Sequence, residues 1–227
     1  MKKAITLSIF ILVLAGGAFA LNPPPFTFSI GGGIFYAGDY KEAEASRQTT
    51  LSSVPIEYSP YGKTDLSSFG FFGFFDATYF EVNLGYFAGQ RKTNIVVPTE
   101  DSLFTGLIIG VFGKYPFVFG KISVFPLLGV EYQLFLSGRV SGLGPIPIST
   151  DTEDFNAFWY KFGFGADFAL TETLFLRGEF LYGFRQNTNA EDELERICIA
   201  MYPSSPVSVD QGVGHGPSLK FAVGYKF

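Results

Sequence analysis

Along most of this chain, apolar residues alternate one by one with polar or small ones. In the last segment Leu219, Phe221, Val223, Tyr225 and Phe227 alternate with Ser218, Lys220, Ala222, Gly224 and Lys226. Phe80, Val82, Leu84, Tyr86 and Ala88 alternate with Glu81, Asn83, Gly85, Phe87 and Gly89. Tyr160, Phe162, Phe164, Ala166 and Phe168 oppose Trp159, Lys161, Gly163, Gly165 and Asp167, and Leu176, Phe180, Tyr182 and Phe184 oppose Arg177, Glu179, Gly183 and Arg185. Ile122, Val124, Leu128, Val130, Tyr132, Leu134 and Leu136 share one face, with Lys121, Ser123, Gly129, Glu131 and Gln133 on the other. Phe26, Phe28, Ile30, Ile34 and Tyr36 oppose Thr27, Ser29, Gly31 and Gly33. A period of two marks strands with unlike faces. Two more segments, 67–76 and 102–114, are rich in Phe/Gly and Leu/Ile/Gly, and their two faces are hard to tell apart. The pattern predicts eight strands, at 26–38, 67–76, 79–91, 102–114, 121–137, 155–169, 174–186 and 217–227.

The connections alternate in kind. Ala77-Thr78, Lys114-Tyr115-Pro116-Phe117 and Leu170-Thr171-Glu172-Thr173 are tight, whereas 39–66, 138–154 and 187–216 are long and polar. Short turns at one end and long loops at the other, on strands of about ten residues, describe a transmembrane β-barrel. A barrel also leaves no strand edge unpaired in lipid, where no water can satisfy one. The predicted fold is all-β: an eight-stranded antiparallel up-and-down transmembrane barrel. An even strand count puts both chain ends on the short-turn side. The competing fold is a soluble sandwich or lipocalin-like barrel, which turns its apolar face inward. With charged and small residues recurring on one face of at least five strands, it would have to bury that face or expose a Phe/Tyr/Leu surface all round.

Composition sharpens this picture. Hydrophobic residues make up 47% of the 227, with 28 Phe and 12 Tyr, while charged residues are only 16%. A soluble domain averages about 25% charge. Met1-Lys2-Lys3, the apolar run Ala4 to Leu14 and Ala18-Phe19-Ala20 read as a secretory signal, cleaved after residue 20, with the barrel at 21–227. No Cys follows the apolar run, which argues against a lipoprotein, and no later stretch reaches the roughly 18 apolar residues of a spanning helix. The net charge of −5 makes a poor nucleic-acid binder. One Cys and one His exclude a disulfide framework and most metal chemistry, and no cofactor is implied.

The inward face carries the candidate chemistry. Glu81, Lys121, Glu131, Lys161, Asp167, Arg177, Glu179 and Lys220 fall on it with both signs, which predicts an ion-pair network in the lumen. Asp167 and Arg177 lie symmetrically about the turn near 170–173, as a cross-strand pair would. An eight-stranded barrel is just wide enough for its own side chains, so such a network either plugs the lumen or gates a narrow pore. Gly31, Gly33, Gly85, Gly89, Gly129, Gly163, Gly165 and Gly183 share that face and are expected to leave unfilled volume, with Trp159, Phe87 and Phe35 available to fill it or to line a path. In the segment 187–216, Thr188 and Glu191 form a capping box, and Leu194, Ile197, Cys198 and Met201 recur as one face of a short helix, either a lid or a packed lip.

The terminal alternation Phe221, Val223, Tyr225, Phe227, ending on an aromatic, resembles the C-terminal signal by which Gram-negative-type outer-membrane barrels are recognised for assembly. The whole of 21–227 resembles the small barrels of the OmpA-barrel, OmpX and OmpW kind. Lys114-Tyr115-Pro116-Phe117 followed by Phe125-Pro126-Leu127-Leu128-Gly129-Val130-Glu131-Tyr132 resembles a corner-and-strand pattern of small barrels from diderm bacteria, spirochaetes among them. The resemblance implies a monomeric multi-pass protein in outer-membrane lipid, inserted by the barrel-assembly machinery with its loops at the cell surface. It implies either a narrow channel for small or apolar solutes or a plugged barrel whose loops bind host or envelope partners. Barrel enzymes of this size pair a His with a Ser nucleophile. His215 and Ser218, three apart on a strand, point to opposite faces, so no enzyme is expected.

Overall fold

The computed structural model describes residues 25–51, 54–58, 61–94, 100–140, 156–186, 207–211 and 214–227. The signal segment 1–20 and the Leu194, Ile197, Cys198, Met201 stripe lie outside the described residues. Among them are eleven strands and no helix: β1 Ser29–Leu51, β2 Val54–Tyr58, β3 Tyr61–Asp76, β4 Phe80–Asn94, β5 Glu100–Lys114, β6 Phe117–Phe119, β7 Ile122–Val140, β8 Ala157–Ala169, β9 Leu174–Gln186, β10 Val207–Gln211 and β11 His215–Lys226.

Eight of these strands form the wall, each antiparallel to its neighbours, in the circular order β1, β3, β4, β5, β7, β8, β9, β11. The circle closes where Gly31, Gly32 and Gly33 of β1 meet Gly224, Val223 and Ala222 of β11. The structure is therefore an eight-stranded all-β barrel, as the alternation predicts. Its faces are inverted relative to a soluble fold. Phe71, Leu128 and Phe221 on the outside are 65%, 68% and 60% exposed, whereas Glu81, Lys220 and Arg177 inside are 0%, 1% and 3%.

The tight turns have local causes. Thr78 adopts a left-handed φ of 56°, rare for a β-branched residue. Its hydroxyl offsets that strain, accepting a hydrogen bond from Thr27 N at 2.7 Å and donating to Thr27 O at 2.9 Å. Gly120, at φ 61°, opens the two-residue hairpin between β6 and β7. At the same end Phe227 N donates to Phe28 O at 3.0 Å, and the two rings stack. Thr27, Phe28 and the C-terminal Phe227 thus lie beside the short turns.

The far end departs from expectation. The segment 39–66, expected as a loop, is largely strand: β1 continues to Leu51, pairing with β3 up to Glu44↔Tyr61, then with β2, and with β10 on its other side. Its polar composition suggested a loop, yet strand pairing above the apolar band needs no apolar face. The lumen charge expected at Lys121 is also displaced. Lys121 sits exposed in the Gly120-Lys121 turn, because the turn ends the alternation one residue before β7 begins.

Candidate functional site

The lumen is built from the inward positions of each strand. Arg177 on β9 organises its short-turn end. Its guanidinium forks onto Asp167 of β8, with Nε–Oδ1 and Nη2–Oδ2 both at 2.7 Å. The same group reaches Glu81 Oε2 of β4 at 2.6 Å and Asp76 Oδ2 of β3 at 2.6 Å. Lys114 of β5 also pairs with Asp76 and lies 3.9 Å from Glu81. Three rings surround the guanidinium carbon: Phe74 at 4.5 Å, Phe125 at 5.1 Å and Phe175 at 5.2 Å. Bidentate pairing and aromatic faces suit a cation that has lost its water.

A second cluster sits further along the axis. Lys161 of β8 donates to Glu131 Oε1 of β7 at 2.6 Å, and Gln133 adds a 3.4 Å hydrogen bond to the same oxygen. Lys220 of β11 approaches Glu131 Oε2 at 3.8 Å and lies 4.9 Å from the Phe112 ring centre. Glu179 joins the clusters: it lies 3.9 Å from Arg177 and directly across the strand pair from Lys220. Among the described residues the lower cluster sets four acids against two cations, and the upper sets one acid against two. At the long-loop end Arg185 pairs with Asp39 at 3.1 Å.

Of the residues the sequence nominates, the structure brings Glu81, Asp167, Arg177 and Glu179 into the first cluster and Glu131, Lys161 and Lys220 into the second; Lys121 joins neither. Sequence reasoning missed Asp76, Lys114 and the Asp39–Arg185 pair. Parity carried the signal: Asp76 is in phase with inward Phe72 and Phe74, and Lys114 with inward Phe112.

The inward glycines do not leave empty volume. An added β-carbon would overlap the Phe74 ring at Gly31, Phe104 at Gly89, Phe112 at Gly129 and Phe125 at Gly165. At Gly33 and Gly163 it would strike the backbone oxygens of Phe221 and Phe180 instead. Glycine is what lets each ring lie flat against the wall. Trp159, Phe87 and Phe35 are likewise buried in the interior. Near the long-loop end a cavity of about 10 Å³ remains beside Asp39, Gln133, Trp159 and Lys161, the space of one water.

The other nominated residues face outward. Phe221, Val223, Tyr225 and Phe227 are all exposed on the outer surface. His215 also faces outward and pairs through Nδ1 with Tyr182 Oη at 2.7 Å, while Ser218 is buried on the inner face. A closed wall, an apolar exterior and an ion-paired interior together decide the architecture. The chain has the fold of a small outer-membrane barrel.

No family model matches the chain, and neither does any curated protein. Among solved structures it is similar to Neisserial surface protein A at 15% identity, covering 86% of this chain and 97% of that one, with a TM-score of 0.37. Ail, the attachment invasion locus protein of Yersinia pestis, matches at 12% identity over 87% and 99% of the two chains, TM-score 0.31. A major outer membrane protein from Thermus thermophilus matches at 13% over 84% and 99%, TM-score 0.36. Such scores carry nothing about activity.

Proposed function

We propose that this chain is a sealed outer-membrane barrel that serves as a rigid structural and surface-interaction platform, not as a solute channel. One contact carries the reading. Arg177 and Glu81 stand on β9 and β4, four strands apart whichever way the wall is followed, and they meet at 2.6 Å. A 2.6 Å contact across the diameter leaves no path beside it for a hydrated solute, and the rings seated on the glycines take up the remaining section. The binding surface in this reading is the rim of strand that rises past the apolar band, from 41–51 of β1 and from β2, β3 and β10. A host or envelope partner is the ligand class it suits. The reading includes export by the 1–20 signal, insertion by the barrel-assembly machinery and a monomeric state.

Liposomes containing refolded residues 21–227 test it. Uptake of a panel of small polar and apolar solutes should equal that of protein-free liposomes. Entry of any solute above that control overturns the sealed-lumen reading in favour of a narrow channel.

A further inference from the structure

On the outer face, at the boundary between the apolar band and the polar rim, the wall carries a recess of about 510 Å³. That is the volume of a site for one small ligand. Tyr36, Phe69 and Leu103 form its apolar walls and Ala88 part of its floor. A β-bulge shapes it: the β5–β7 register shifts between Thr105 and Gly106, so Ser137 rather than Leu136 faces Thr105. The two hydroxyls share one hydrogen bond at 2.8 Å on this exposed surface. Only one of the two O–H groups donates in that bond, so the pair retains a donor for a further acceptor. Gln90 adds an amide to the same lining.

We propose that this recess is a seat for one membrane lipid, its acyl chain against Tyr36, Phe69, Ala88 and Leu103 and its ester or amide carbonyl on the Thr105–Ser137 pair and Gln90. This rests on the membrane reading above. Hydroxyls on a lipid-facing surface are costly unless satisfied. The depth is also right, because Lys92 of β4 and Arg139 of β7 follow two residues after the recess-lining Gln90 and Ser137, where the apolar alternation of the sequence ends. A lipid's polar linkage lies at such a junction of apolar and charged positions along a spanning strand. A second copy of the chain is the alternative occupant, and the test separates the two.

The full barrel is refolded into vesicles of equal parts dioleoyl phosphatidylethanolamine and phosphatidylcholine, released into mild detergent, and its retained lipid counted by native mass spectrometry. Wild type and a distant outward variant, V223W, should each retain one lipid. A88W, which fills the recess from the lipid side, should reduce occupancy about tenfold, and the double variant T105V/S137A should reduce it in the same direction. Equal retention in all four overturns the seat, and so does a wild-type dimer that A88W makes monomeric. Failure of wild type to insert, read as loss of its folded-barrel gel mobility in vesicles, overturns the membrane reading instead.

Discussion

Arg177 and Glu81, 96 residues apart in sequence, join opposite walls of the barrel through a 2.6 Å contact. The guanidinium that makes this contact also holds Asp167 and Asp76. Taking one partner from a buried ionic cluster leaves the others uncompensated. We expect Arg177→Met to lower the unfolding free energy in lipid vesicles by about 3–5 kcal/mol. Urea titration measures it, and a loss under about 1 kcal/mol would mean the network is not formed in the membrane.

The Phe175 ring lies where a β-carbon on Gly224 would stand. Gly224→Ala should therefore cost about 1–3 kcal/mol by overpacking. Shortening the ring in Phe175→Leu should recover part of that cost, a coupling of about 0.5–3 kcal/mol in a double-mutant cycle. Strict additivity of the two changes would show that the ring does not occupy that socket.

Phe180 points outward from mid-β9, its ring 5.6 Å from that of Phe164 across the strand pair. Phe180→Arg should cost about 2–4 kcal/mol in a bilayer. Lys121→Glu, in the exposed turn, should stay within about 0.5 kcal/mol of wild type. The contrast between the two, measured in the same vesicles, checks the assignment of faces; equal costs would contradict it.

Phe227 closes the chain against Phe28 through a backbone hydrogen bond and a stacked ring. Replacing it with Ser should lower the fraction of chains that reach the folded, membrane-inserted state in cells. Heat-modifiable mobility on gels reports that fraction, and wild-type insertion of Phe227→Ser would count against a terminal assembly signal.

Which parts of this were legible in the sequence follows from what alternation encodes. Parity in β8 and β9 placed Lys161, Asp167, Arg177 and Glu179 inward, because their outward neighbours are uniformly apolar. In β3 the phase was present but its direction was not readable: Phe69 and Phe71 face out while Phe72 and Phe74 face in, so rings on both faces hid which one is inward, and Asp76, in phase with the inner pair, went unnoticed. The glycines were placed inward correctly, but the ring that fills each one often comes from a neighbouring strand. Phe104 of β5 meets Gly89 of β4, and Phe112 meets Gly129 of β7. Those partnerships are set by register, which one-dimensional alternation does not contain. The strand in 41–51 was missed for a different reason: above the apolar band, pairing no longer writes a two-residue period of hydrophobicity.

The joint between β1 and β11 links the first wall strand to the last, and three consecutive glycines on β1 supply its middle. Main-chain hydrogen bonds carry that stretch with little interlocking of side chains. Loop closure makes contacts between distant parts of a chain the slow ones to form. Here the most distant contact of all is a zipper with few teeth to misalign: the two edges can slide into alignment on backbone alone, while the bulkier fits elsewhere in the wall are made between strands that are neighbours in sequence.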